Sequence, residues 1–206
     1  VPDILTSAKS LGGGKASISC YTCRDKFFIQ TYDNPRDATL HSTTYNGFGE
    51  ETITAIEAIN ILIEEDFESR SQLLGKQISA ALVFLKNKYP SIIKDIRGSG
   101  CLYGIVINTT FADKYVKPIL KIIPIEFLKD DQSIKKIIVS SIIFHLYEHH
   151  NILTFYGANI DIPLMVAPSI IAKEEDINYF KISLDQTLSS GLLKLVGNFV
   201  SSKFFS

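Results

Sequence analysis

Apolar positions recur along the chain with two periods, and the switches between them mark its elements. Ile53, Ile56, Ile59 and Ile63 return at helical spacing and predict a helix over 50–65. A polar stretch at 66–70 follows. A second helix is predicted over 71–89; its apolar face is Leu74, Ile78, Ala81, Leu82, Leu85 and Tyr89, and Pro90 closes it. Over 133–150, Ser133 can cap a helix on which Ile134, Ile137, Ile138, Ile142 and Leu146 share a face. Glu174, Glu175 and Asp176 open another, acidic where the helix dipole is positive, with Ile177, Phe180, Leu184 and Leu188 toward a core.

Strand signals lie between these helices. Residues 16–32 mix β-branched, aromatic and small side chains and predict one or two strands. Gly98 and Gly100 before the run 101–107 predict a turn or bulge and then a strand. Short runs at 151–155 and 162–166 predict two more, with a turn at 157–159. The stretch 109–131 is less legible; a helix over 112–122, perturbed by Pro118, is the reading given to it. Residues 192–205 are apolar and predict an extra helix covering a neighbour. The pattern is α/β, with a domain boundary placed near residue 70.

Composition narrows this picture further. Apolar content of 46% and charged content of 21% are ordinary for a folded chain. A net charge of −1 leaves no electrostatic footprint for nucleic acid or an anionic membrane. The longest apolar-rich run, 137–147, is short of the roughly 20 residues that span a bilayer. Three cysteines, an odd number, argue against a disulfide framework and fit a reducing, cytoplasmic compartment. The only methionine is Met165, so Val1 is not expected to be the natural start of translation.

Candidate chemistry begins at Lys9. It stands among Ser7, Ala8 and Ser10, sterically unobstructed, just ahead of Gly12, Gly13 and Gly14. Three successive glycines allow backbone angles and close approaches that other residues avoid. A lysine amine there is a nucleophile toward carbonyls or, more plainly, an exposed cation at a turn. His41, Ser42, Thr43 and Thr44 lead into the 50–65 helix, where hydroxyls and free N–H groups suit an anion or cap the helix. Cys20 and Cys23 form a CxxC without a second pair, and read as small strand hydrophobes. His145, Glu148 and His149 match the inverted zinc-peptidase pattern H-x-x-E-H, although nothing suggests a third ligand.

Taken in order, several of these segments resemble the class III pyridoxal-phosphate aminotransferases, a subgroup of the fold-type-I PLP enzymes. They are Lys9 with its glycines, His41-Ser-Thr-Thr44, Arg97-Gly-Ser-Gly100, and Ala167-Pro168 followed by Glu174-Glu175. The resemblance covers most of 1–108 and 151–190. It implies the last part of the large mixed-sheet domain over 1–70 and the α+β C-terminal small domain over 71–206. It implies that Lys9 carries pyridoxal 5'-phosphate as an internal aldimine. It also implies that Thr44, with Thr43 or Ser42, holds the phosphate of a neighbouring subunit, so that a homodimer shares its active sites. The family's N-terminal half, with its pyridine-binding aspartate, is expected to be missing, and activity of the chain alone to be weak or nil.

Two departures matter. Ser42, Asn46 and Phe48 stand where the family often has Gly, Gly and Asn. Met165 stands where members that grip an α-carboxylate commonly have arginine, which favours an amine, an ω-amino acid or a carrier-bound carbonyl as substrate. A non-catalytic aminotransferase-like module and a zinc peptidase remain as alternatives.

Overall fold

The computed structural model describes residues 1–120, 130–158 and 160–204. The chain divides into two units, Val1–Phe67 and Glu68–Ser206.

In the first unit, β1 (Ile4–Ser7) pairs antiparallel with β2 (Cys20–Cys23), Ile4 opposite Cys23 and Ser7 opposite Cys20. A 3-10 turn, Lys9–Gly12, connects them through Gly13 and Gly14, at φ +61° and +73°. Side chains are disfavoured at such angles, so the glycines set the path of this turn. A Cβ on Gly13 would also stand 3.1 Å from the Cβ of Ala58, so the turn lies close on α2 (Gly49–Glu64).

The strands expected over 16–32 are half right. Residues 20–23 are a strand, but Asp25–Tyr32 is a helix, α1. Asp25 sits in its positive first turn, and the Phe28 ring lies tilted against Tyr32 one turn on, with centroids 5.0 Å apart. The aromatic run that reads as strand thus carries an i, i+4 pair. Asn34 then caps a short 3-10 turn at Pro35–Asp37 through its side-chain oxygen.

Helix α2 forms where its isoleucine spacing predicts, but its stripe does not face a core. Ile53 is 69% exposed and Ile63 72%. Only Gly12 and Ala55 are buried in residues 1–67.

The second unit holds the hydrophobic core. Helix α3 runs Phe67–Lys88, so the polar stretch at 66–70 is mostly helix and the break lies at Asp66, φ +47°. β3 (Ile93–Ser99) and β4 (Leu102–Ile107) form a hairpin, and β5 (Leu164–Val166) pairs with β4 to complete an antiparallel sheet in the order β3-β4-β5. Gly75 on α3 backs onto the hairpin turn: a Cβ there would meet the carbonyl oxygen of Gly100 at 2.8 Å. Around the sheet stand α4 (Ala112–Leu120, with Pro118 inside it), α5 (Asp131–His150), α6 (Glu174–Ser189) and α7 (Leu192–Phe204). Ile78, Leu82, Ile105, Ile142, Leu164 and Leu184 are among its fully buried side chains.

The cap of α5 and the strand after it differ from expectation. Asp130, not Ser133, caps α5, accepting from the N–H groups of Gln132 and Ser133, while Ser133 is buried and donates its hydroxyl to Asp130. The expected strand at 151–155 starts with Asn151 at φ +53°, which ends α5 instead. Its continuation pairs with β5 only locally, through a Tyr156–Leu164 bridge flanked by Met165 N–H to Phe155 O (2.8 Å). Helix α7 packs within its own unit, burying Leu195, Val196 and Val200 and lying against α5. Of the expected helix over 112–122, the turn at 157–159 and the helix over 192–205, residues 121–122, 159 and 205 lie outside the described residues.

Candidate active site

Strand β1 ends at Ser7, and two residues later Lys9 adopts φ +57°, a left-handed conformation uncommon for a side-chain-bearing residue. Such strain costs about 1–2 kcal/mol and concentrates at functional sites. The Lys9 side chain is exposed, and no carboxylate among the described residues pairs with it. It borders a hollow of about 400 Å³ together with Ala16, Ser17, Ile18 and Ser19.

Ser19 also borders a larger cavity of about 940 Å³. There Ser7 and Ala8, just before Lys9, come together with Tyr21, His41 and Thr43. Thr43 therefore lies on the same cavity as the approach to the lysine. Ser42 and Thr44 do not line it within one chain; both are exposed.

The hydroxyl loop is tied by its own departures. Asn46 donates its side-chain amide to the carbonyl of His41 (2.6 Å) and its backbone N–H to Thr43 (3.1 Å). The asparagine thus closes the loop where a glycine would leave it open. The His41 ring stacks on Tyr21 with centroids 5.1 Å apart, and the Tyr21 and Tyr32 hydroxyls meet at 3.0 Å. The Tyr32 hydroxyl holds the Tyr21 phenol above its ordinary range. Tyr21 and Tyr32 were not legible as site residues in the sequence. The one usable signal was the alternation of β2, which puts Tyr21 on the face opposite Cys20 and Thr22. The same alternation points Cys20 and Cys23 to opposite faces, and both are free thiols.

Met165 sits on β5 opposite Gly104, half-buried, between the inward-facing Leu164 and Val166. It lines a hollow with Leu153, Ile177 and Phe180 as well as Asn151 and Asp176, and the Thr154 hydroxyl donates to its carbonyl. Arg97 is committed elsewhere, to Asp95 (2.9 Å) and Asp161 (2.8 Å).

His145 and His149 lie one turn apart on α5, with ring centroids 4.3 Å apart. His145 is half-buried; burial first, and then the neighbouring imidazoles and Lys194, hold its pKa below the ordinary range. Among the described residues no group of three or more His, Cys, Asp or Glu is placed to hold a metal ion.

Comparison with known proteins supports the aminotransferase reading. The Aminotransferase class-III family matches residues 1–127. Aminotransferase PigE of Serratia sp. (strain ATCC 39006) is 25% identical over 201 residues, covering 87% of this chain and 23% of that protein. Two solved structures are similar in fold. A transaminase from the marine bacterium Virgibacillus has TM-score 0.73 at 18% identity, over 96% of this chain and 40% of that one. An S-selective transaminase from Arthrobacter sp. with alanine bound has TM-score 0.72 at 18% identity, over 92% and 38%. The chain thus spans about a quarter of the curated relative and two-fifths of the solved chains, in the fold-type-I transaminase architecture. The chain belongs to the class-III aminotransferases.

Proposed function

We propose that the chain supplies the catalytic lysine and the phosphate-binding loop of a pyridoxal-phosphate-dependent aminotransferase. The carrying observation is Lys9: a strained, exposed amine with no carboxylate partner among the described residues, on a glycine-set turn, in a chain of this family. The residues fit the cofactor, with an amine for its aldehyde and, in the hydroxyls of Ser42, Thr43 and Thr44, donors for its phosphate. When bound, the cofactor acts as an electron sink for the carbon next to the reacting nitrogen. Lys9 would hold the cofactor through its side-chain amine and, once that amine is released, would serve as the base that moves a proton at the substrate carbon. Thr44, with Thr43 or Ser42, would donate hydroxyl hydrogen bonds to the phosphate held by a partner subunit.

That division of labour requires a homodimer. The exposed apolar residues of Val1–Phe67, the α2 stripe among them, support an associating surface. The proposed domains are the end of the large domain over 1–70 and the small domain over 71–206; the change of unit between Phe67 and Glu68 supports this. No described helix is long and apolar enough to cross a membrane, and the proposed compartment is the cytoplasm.

Met165 and its apolar neighbours favour amines or ω-amino acids over α-amino acids as donors. A carboxylate there would find no arginine fork, and burying it unpaired is costly. A non-catalytic module makes the opposite prediction at Lys9. In a longer protein that includes the family's N-terminal half, amino transfer from a panel of amine donors is slower in Lys9→Ala by about 10²–10⁴-fold, the range for losing a general acid–base group. Equal, measurable rates in the two proteins would overturn the reading.

A further inference from the structure

The proposed transamination leaves one part of the molecule without a role, the histidine cluster at the end of α5. His145 and His149 share a helix face at i and i+4, the spacing at which two imidazoles can reach one ion. Their rings already lie together, 4.3 Å between centroids and tilted by 54°.

The neighbouring helix fixes how His145 presents itself. Thr187 on α6 gives its single hydroxyl proton to the carbonyl of Ser183, 2.8 Å away. The same oxygen lies 3.2 Å from His145 Nδ1, which is thereby tied to an outer hydrogen-bond partner. With the hydroxyl proton on the Ser183 carbonyl, Nδ1 is the donor and the lone pair of the neutral ring is on Nε2, the tautomer a metal ion would use. An imidazole with one nitrogen tied to an outer partner and the other free is the arrangement found in metal-ligating histidines.

The geometry points to a surface chelate for a divalent transition-metal ion, held by Nε2 of His145 and an imidazole nitrogen of His149. Imidazole pairs suit zinc, nickel and copper, not the oxygen-seeking calcium or magnesium. The His150 ring stands farther off, 5.9 Å from His145. With no third protein ligand among the described residues, water fills the remaining positions, and the ion is exchangeable. Lys194 of α7 faces His145 and opposes the ion; exposed Glu148, on α5 itself, favours it.

Calorimetric titration of the full chain with Ni²⁺ tests this. The wild type takes up one ion per chain. His149→Ala, an exposed change, weakens binding at least about tenfold, and His150→Ala leaves it unchanged. Thr187→Val weakens it about 10–100-fold through loss of the outer partner, and Thr187→Ser restores it. Circular dichroism without metal establishes that each variant is folded. Equal affinity in wild type and His149→Ala overturns the proposal. So does abolition of binding by alkylating Cys20, Cys23 and Cys101 with the histidines intact.

Discussion

Single residues carry the site, and backbone geometry is what singles them out. Lys9 and Gly13 both lie at positive φ within five residues, but for different reasons. Gly13 lets the chain turn under α2, and Lys9 is held in a conformation its side chain disfavours. Gly13→Ala should destabilise the first unit by about 1–2 kcal/mol, from the left-handed angle alone. The 3.1 Å approach to Ala58 adds to that. Urea unfolding followed by a probe in residues 1–67 measures it; an unchanged midpoint would show that the turn is not fixed by its glycine. The glycine turn was legible in the sequence, because left-handed backbone angles favour glycine; the roles of Lys9 and the hydroxyl loop rest on the proposal. Tyr21, Tyr32 and the Asn46 tie were not, because only the tertiary path brings them to one cavity.

Among the elements, periodicity located α2, α3, α5 and α6 and failed where side-chain chemistry was ambiguous. Phe27, Phe28 and Ile29 have strand propensity, yet lie in α1, where the Phe28–Tyr32 pair and Asp25 favour the helix. Ser133 has the chemistry of a cap but is buried one turn in, and Asp130 does the capping. Gly75 shows packing outweighing propensity. Alanine would favour helix α3 by about 1 kcal/mol. Its Cβ would meet backbone of Gly100 at 2.8 Å, and overpacking costs about 1–3 kcal/mol. Gly75→Ala should therefore lower the melting temperature of the second unit; a rise would mean the hairpin turn yields freely.

The α3–α6 contact carries a pH dependence. Asp185 accepts from Lys88 and Tyr89, both at 2.7 Å, and these bonds, Lys88 first, hold its carboxyl below the usual range. A lowered folded pKa contributes stability that is complete above the unfolded value, about 3.9, and is lost as pH falls through the folded one. Lys88 is raised by the same bond, so its share is complete below its unfolded pKa and lost as pH rises through the folded one. Melting curves of wild type and Asp185→Asn should differ at neutral pH and converge below about pH 4. A constant difference down to acid pH would assign the contact to packing.

At the scale of the molecule, the two units contrast in what they bury. The second encloses a continuous aliphatic core between sheet and helices. The first buries two small residues and exposes Ile53, Ile56 and Ile63 on one helix. Hydrophobic burial grows with the apolar area removed from water, so the first unit gains little from its own packing. The site, proposed as shared between subunits, lies in that unit, and the account stands or falls on one amine in it. Borohydride reduction of the protein with pyridoxal 5'-phosphate, followed by peptide mass mapping, tests it most directly. The account predicts one dominant pyridoxyl adduct, on Lys9, absent from Lys9→Ala. Label spread evenly over Lys9, Lys15 and other surface lysines, or concentrated elsewhere, would contradict it.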